Sequence, residues 1–210
     1  MISKGQIFFW MVAWVLQIVL VGVIVPSDFI ESQIDQEHEM IRDWLGVDTS
    51  DSLWLSSNER FKKAFSDTGM IDASYTILPS YQQRADSTGL ETLGDSMWPY
   101  VQSRIEVMWL TIYQAVQRFG VIALWAPYFL PILVPSLIHG YTVREIKKVS
   151  YGYASPVIYH AAGKTMIAAL FLPLFYITLP IAIHPMLVMI WGVCISLLML
   201  ALSANVQKQI

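Results

Sequence analysis

The sequence predicts an all-α membrane protein with four transmembrane helices and a helical extracytoplasmic insertion between helices 1 and 2. Three observations point there. Hydrophobic residues make up 55% of the chain and charged ones only 14%, with a mean hydropathy of +0.51, whereas soluble domains carry about 25% charged residues. Four runs free of charge, Gly5–Val25, Phe119–Ile138, Thr165–Ile183 and Met186–Ala204, have the roughly 20-residue length that crosses a ~30 Å hydrocarbon core. The charges, finally, are segregated. Fifteen of the sixteen acidic residues lie between Asp28 and Glu106 against six basic ones, giving −9, while Lys4, Arg144, Lys147, Lys148, Lys164 and Lys208 face Glu145 alone, giving +5.

Positive charge in short loops beside spans stays in the cytoplasm. The expected location is therefore a bacterial inner membrane, with both termini and the basic loop cytoplasmic and the acidic region periplasmic. Residues 1–25 form a cytoplasmic N-terminus and the first span. It is read as an uncleaved signal anchor, because its apolar core exceeds the usual 7–15 residues and no Ala-x-Ala-like site precedes Pro26. Gln17 in its middle suits helix–helix hydrogen bonding.

Residues 26–118 form the acidic helical region. Pro26-Ser27-Asp28 opens a helix with Ile30, Ile34, Ile41 and Leu45 near one face, and Gly46 closes it. Ser56 and Glu59 have capping-box spacing for a second helix, which Gly69 stops. Thr68–Gly94 reads as a polar loop. Met97–Gln117 is helical again, lying along the membrane surface or running straight into the second span. The carboxylates sit at solvent-facing spacings, as on a solvated acidic face. With so few large apolar groups, the region should pack on the membrane, a partner or a copy of itself.

Span 119–138 carries Pro127, Pro131 and Pro135 four residues apart. In one helix they share a face, and each removes the donor for the carbonyl four residues earlier. A kinked packing helix is favoured over a hinge lining a passage. Residues 139–164 form the basic loop. Arg144, Lys147 and Lys148 end a helix that outruns the span, Ser150–Ala154 breaks it, and Ser155 then caps a new helix with Pro156 at its first position. Tyr151, Tyr153 and Tyr159 suit a headgroup belt, and His160 and Lys164 stand one turn apart. Residues 165–210 form a transmembrane hairpin, bent at Pro173 and Pro180 with His184-Pro185 at its tip, and a short cytoplasmic C-terminus. Gly192-x-x-x-Ser196 offers a close-packing step.

Catalysis is not expected. The chain has no nucleotide-binding glycine loop, metalloprotease or hydrolase motif, and nothing supplies His160 with a nucleophile, metal cluster or oxyanion site. Cys194 is alone, so no cofactor, metal or internal disulfide is expected of it. Direct nucleic-acid binding is not expected from an acidic soluble region. The basic loop instead predicts contact with anionic lipids or an acidic partner surface. A small channel or carrier built around the proline-kinked helix is the competing reading, and the lack of deep intramembrane charge speaks against it.

His139-Gly-Tyr-Thr-Val-Arg144-Glu-Ile-Lys-Lys, Gly152-x-x-Ser155, Val157-Ile-Tyr159-His160-Ala-Ala-x-Lys164, Leu179-Pro180 and His184-Pro185 together resemble the TraJ-type inner-membrane proteins of conjugative plasmids and integrating conjugative elements. The resemblance covers residues 139–210. It implies an accessory or platform role in a conjugative DNA-transfer (type IV secretion) system, association with the type IV coupling ATPase, and possible homo-oligomers. That family has no assigned reaction, so only loop positions carry over, as a contact surface: Arg144, Lys147, Lys148, Tyr151, Tyr153, Tyr159, His160 and Lys164. Tyr153-Ala154 stands where the family has a charged residue.

Overall fold

The computed structural model describes residues 4–76 and 97–206, and no strand occurs among them. The helices are α1 (Lys4–Ile24), α2 (Ser27–Leu45), α3 (Val47–Phe61) with a π-helical turn (Lys62–Ser66), α4 (Met70–Tyr75), α5 (Trp98–Val149), α6 (Pro156–Thr178) and α7 (Met186–Ala204). Four of them, α1, α5, α6 and α7, are long and apolar enough to cross a bilayer.

Of the two courses expected for Met97–Gln117, the segment runs straight into the second span, as one helix of 52 residues, Trp98–Val149, which passes through all three prolines. Other boundaries differ from the sequence expectation. The third span stops at Thr178 instead of Ile183. Pro180 forces the preceding residue out of the helical region, so it ends the helix where a bend was expected. The capping box at Ser56 does not form, because α3 already starts at Val47 and Ser56 Oγ donates back to the Leu53 carbonyl (3.0 Å). Part of the expected 68–94 loop is helix α4, and the rest, from residue 77, lies outside the described residues.

The chain divides into two compact units. One comprises residues 17–120 and 177–184. Its core is built where α2 meets the first half of α5: Ile30, Ile34 and Val107 are buried, and Val25, Trp54, Leu110 and Tyr113 pack against them. Burying such a side chain contributes about 1.5–3 kcal/mol. An aromatic cluster extends this core, with Phe61 edge-on to both Trp109 (6.3 Å) and Tyr113 (5.2 Å) and Phe65 edge-on to Trp109 (5.6 Å). The end of α1 is closed by α5. Arg104 Nη1 donates to the carbonyls of Gly22, Val23 and Val25 at 3.3, 3.0 and 2.9 Å, placing a cation on orphan carbonyls at the negative end of the helix dipole.

Glu37 is not on a solvated face. It falls on the buried stripe of α2 with Ile30, Ile34 and Ile41 and is 3% exposed. Its carboxylate accepts from Arg118 Nε (2.9 and 3.0 Å), Arg118 Nη2 (2.8 Å) and Gln114 Nε2 (3.0 Å). Arg118, 0% exposed, also donates from Nη1 to the Leu179 carbonyl and from Nη2 to the Ile181 carbonyl. The sequence places Arg118 at the mouth of a span, whereas it is a buried anchor for the connector between α6 and α7. Gln33 holds the same connector, accepting from the Ala182 N–H (2.9 Å), and Trp44 stands edge-on to His184 (5.7 Å). Gln17, as expected of a mid-helix amide, donates to Thr178 Oγ1 (3.3 Å).

The other unit comprises residues 1–16, 121–176 and 185–210. Trp10 meets Phe171 and Phe175 with ring centroids 6.5 and 5.9 Å apart. Trp191 Nε1 donates to the Ala169 carbonyl at 2.7 Å, and its ring stands edge-on to Phe129. The Gly192-x-x-x-Ser196 step is used for close packing, since a Cβ on Gly192 would lie 2.2 Å from the Phe129 ring. Gly140 is tighter still, because a Cβ there would be 1.9 Å from Ser203 Oγ and 2.9 Å from the Leu200 carbonyl.

Two expected outcomes follow from this packing. Glu37→Leu removes the carboxylate from beside a buried guanidinium and should lower stability by about 3–5 kcal/mol, read as a fall in Tm in mild detergent; an unchanged Tm would show that the pair does not hold the connector. Gly140→Val should force α5 and α7 apart at a cost of about 1–3 kcal/mol, and a melt equal to the parent protein's would contradict that close approach.

Candidate functional site

The residues singled out in the basic loop lie in one unit and separate there into three groups. The first surrounds the end of α5. Ser150 N–H donates to the Ile146 carbonyl and Gly152 N–H reaches back to that of Lys147, both at 2.9 Å. This Schellman-type closure requires a left-handed residue between them, where glycine is usual. Here that residue is Tyr151, at φ 53, the one non-glycine with positive φ among the described residues. Its side chain is 97% exposed and that of Tyr153 78%. Lys148 pairs with Glu145 one turn back. That hydrogen bond, with the Lys148 and Arg144 charges beside it, holds the Glu145 carboxyl below the usual carboxylate range. Arg144 is half-buried.

Lys147 behaves differently from its neighbours. Its Nζ donates to the Ala204 carbonyl (3.2 Å) and to Asn205 Oδ1 (3.1 Å), so it closes the end of α7. Asn205 Oδ1 also accepts from the Ser155 N–H (3.3 Å), and its Nδ2 donates to the Ala201 carbonyl (2.9 Å). Ser155 Oγ in turn accepts from the Ile158 N–H (3.3 Å), the N-cap that the sequence predicts. Asn205 therefore ties the ends of α5 and α7 to the start of α6, a role the sequence reading missed. Its one sequence signal is an amide directly after an apolar helix.

The third group, Tyr159, His160 and Lys164, lines a cavity of about 630 Å³ with Gln6 of α1, Leu137 of α5 and Met199, Leu202 and Ser203 of α7. The Tyr159 and His160 rings stand edge-on at 5.7 Å. Gln6 Nε2 donates to the Lys164 backbone carbonyl (2.8 Å), and both residues line the cavity. Pro127, Pro131 and Pro135 share the exposed face of α5, and none of them lines this cavity. No cluster of three or more His, Cys, Asp or Glu that could hold a metal ion occurs among the described residues.

A basic helix end, two projecting tyrosines and an all-helical chain narrow the choice of family but do not make it. The model of the DtrJ-like family, described as IncC plasmid conjugative DNA transfer protein DtrJ-like, matches residues 28–207. The chain belongs to the DtrJ-like family. Its process is conjugative DNA transfer. The match begins at residue 28 and not at 139, so the buried ion pair of α2 and α5 belongs to the region that defines a DtrJ-like protein as much as the basic loop does. No curated protein and no solved structure matches the chain.

The geometry separates structural from displayed cations. Lys147→Met and Asn205→Ala should each loosen the 150–155 turn, seen as faster amide exchange at Ser155, and the double variant should add little because both break one network. Lys148→Met should leave that exchange unchanged. Equal effects from Lys147→Met and Lys148→Met would erase the distinction.

Proposed function

We propose that this DtrJ-like protein is an inner-membrane platform of the conjugative transfer machine. Its surface at the end of α5, with the displayed Lys148, Tyr151 and Tyr153 and the half-buried Arg144, docks the type IV coupling ATPase. The observation that carries the docking reading is Tyr151. A left-handed conformation costs an ordinary L-residue about 1–2 kcal/mol that glycine does not incur, yet the position holds a tyrosine that is 97% exposed among the described residues. Strain of this kind persists where a side chain has to be presented. Aromatic and arginine anchors are the groups that dominate protein interfaces.

The membrane setting rests on four helices of spanning length and on the apolar surface they expose; Phe8 and Phe9 on α1 are 70% and 62% exposed and Leu130 on α5 is 62% exposed. With positive charge retained inside, both termini and the 139–164 loop are cytoplasmic, as an ATPase partner requires. Residues 26–118 and the connector at His184-Pro185 are then periplasmic. In this reading the chain is a scaffold and not an enzyme.

Arg144→Glu with Lys148→Glu, leaving Lys147 intact, should abolish plasmid transfer and co-purification of the coupling ATPase while the protein accumulates normally in membranes. Tyr151→Gly should stabilise the isolated protein by about 1 kcal/mol and still weaken that capture. Normal transfer and capture in both variants would end the docking reading.

A further inference from the structure

We infer that the cavity between the loop-side ends of the four long helices is a binding site for one anionic phospholipid, with the phosphate at Lys164 and His160 and an acyl chain along α6 and α7. The inference rests on the membrane reading given above but concerns a different surface from the docking face. Its volume of about 630 Å³ falls in the range of ligand sites, which are apolar with a few convergent polar groups.

The lining combines polar groups of Lys164, His160, Tyr159 and Gln6 with apolar ones. Ile167 and Leu170 continue the α6 wall beyond Lys164, and Leu202 of α7 stands beside Gly163. From Lys164 to Leu170 the axis of α6 rises roughly 9 Å, enough for the upper part of an acyl chain. Leu137 and Leu170 remain 48% and 58% exposed, so the apolar wall is open to the side, where a bilayer would supply the ligand. Long basic side chains lay an apolar stem along such a wall and keep the charged head at the interface.

Charge complementarity selects the head group. Glu145 is the sole carboxylate side chain between residues 107 and 210, and it is paired with Lys148. Lys164 forms no ion pair among the described residues, and the Tyr159 hydroxyl, the His160 ring and the Gln6 amide add hydrogen-bonding groups beside it. A phosphate satisfies this set, whereas an uncharged amphiphile leaves the ammonium facing an apolar wall. Free phosphate would use the polar end but none of the apolar surface.

The test uses the full chain purified in mild detergent, stripped of lipid, and titrated with phosphatidylglycerol, phosphatidylcholine or inorganic phosphate, with bound lipid counted by native mass spectrometry. One phosphatidylglycerol per chain should bind, about tenfold tighter than phosphatidylcholine. Lys164→Met should remove that preference, Lys164→Arg should restore it, and Leu170→Trp should reduce binding of both lipids by filling the wall. Both lipids carry a phosphate, so equal binding would overturn the selectivity for a net anionic head group, and a preference that survives Lys164→Met would overturn its assignment to Lys164. Inorganic phosphate competing at the affinity of the lipid would overturn the acyl-chain half. Membrane flotation of the same protein separates failures: a chain that floats but binds no lipid refutes the cavity alone, and one that does not float refutes the membrane reading beneath it.

Discussion

One guanidinium ties its own helix to two other stretches of chain, and the architecture around it depends on that. Arg118 extends from α5 to the carboxylate of Glu37 on α2 and to the Leu179 and Ile181 carbonyls of the connector between α6 and α7. Each partner needs the others. The connector is non-helical between Pro180 and Pro185, so its carbonyls have no intrahelical donors. The guanidinium supplies donors but could not be buried without a carboxylate beside it. Gln114 then takes up further acceptor capacity on Glu37. Replacing all of these by leucine would not reproduce the arrangement, because no apolar group can hold a connector by its backbone.

The two chain units use different physics. Around Arg118, order comes from an amphipathic α2, aromatic edges and charge-assisted hydrogen bonds. Among residues 121–176 and 185–210 it comes from small residues at close approaches, Gly140 against Ser203 and Gly192 against Phe129. Indole and amide groups donate there to backbone carbonyls. The second mode is expected where the surroundings are as apolar as the side chains and burial gives helices little reason to associate.

Much of this was legible in the residues. Four helices of spanning length follow from the apolar runs, and Gly46, Ser155 and Gln17 act as their local chemistry demands. Glu37 was within reach, since 30, 34, 37 and 41 form one helical stripe and an acid on it is either misplaced or paired. Its partner lies 81 residues away, and no local pattern gives that distance. The same holds for Lys147, which reads as one of three loop cations until Asn205, 58 residues on, accepts its hydrogen bond. The Ser56 capping box failed for a local reason: Leu53 and Trp54 already belonged to a helix, and the serine hydroxyl bonded backwards within it.

Sidedness is the claim on which the functional account stands: the displayed tyrosines must share a compartment with a cytoplasmic ATPase, and residues 26–118 must be periplasmic. It can be measured with single cysteines in a Cys194→Ser background, using a membrane-impermeant maleimide on spheroplasts before and after lysis. Glu39→Cys, exposed on α2, should label in intact spheroplasts, and Tyr153→Cys only after lysis. Labelling of Tyr153→Cys in intact spheroplasts would place the loop outside and contradict the account.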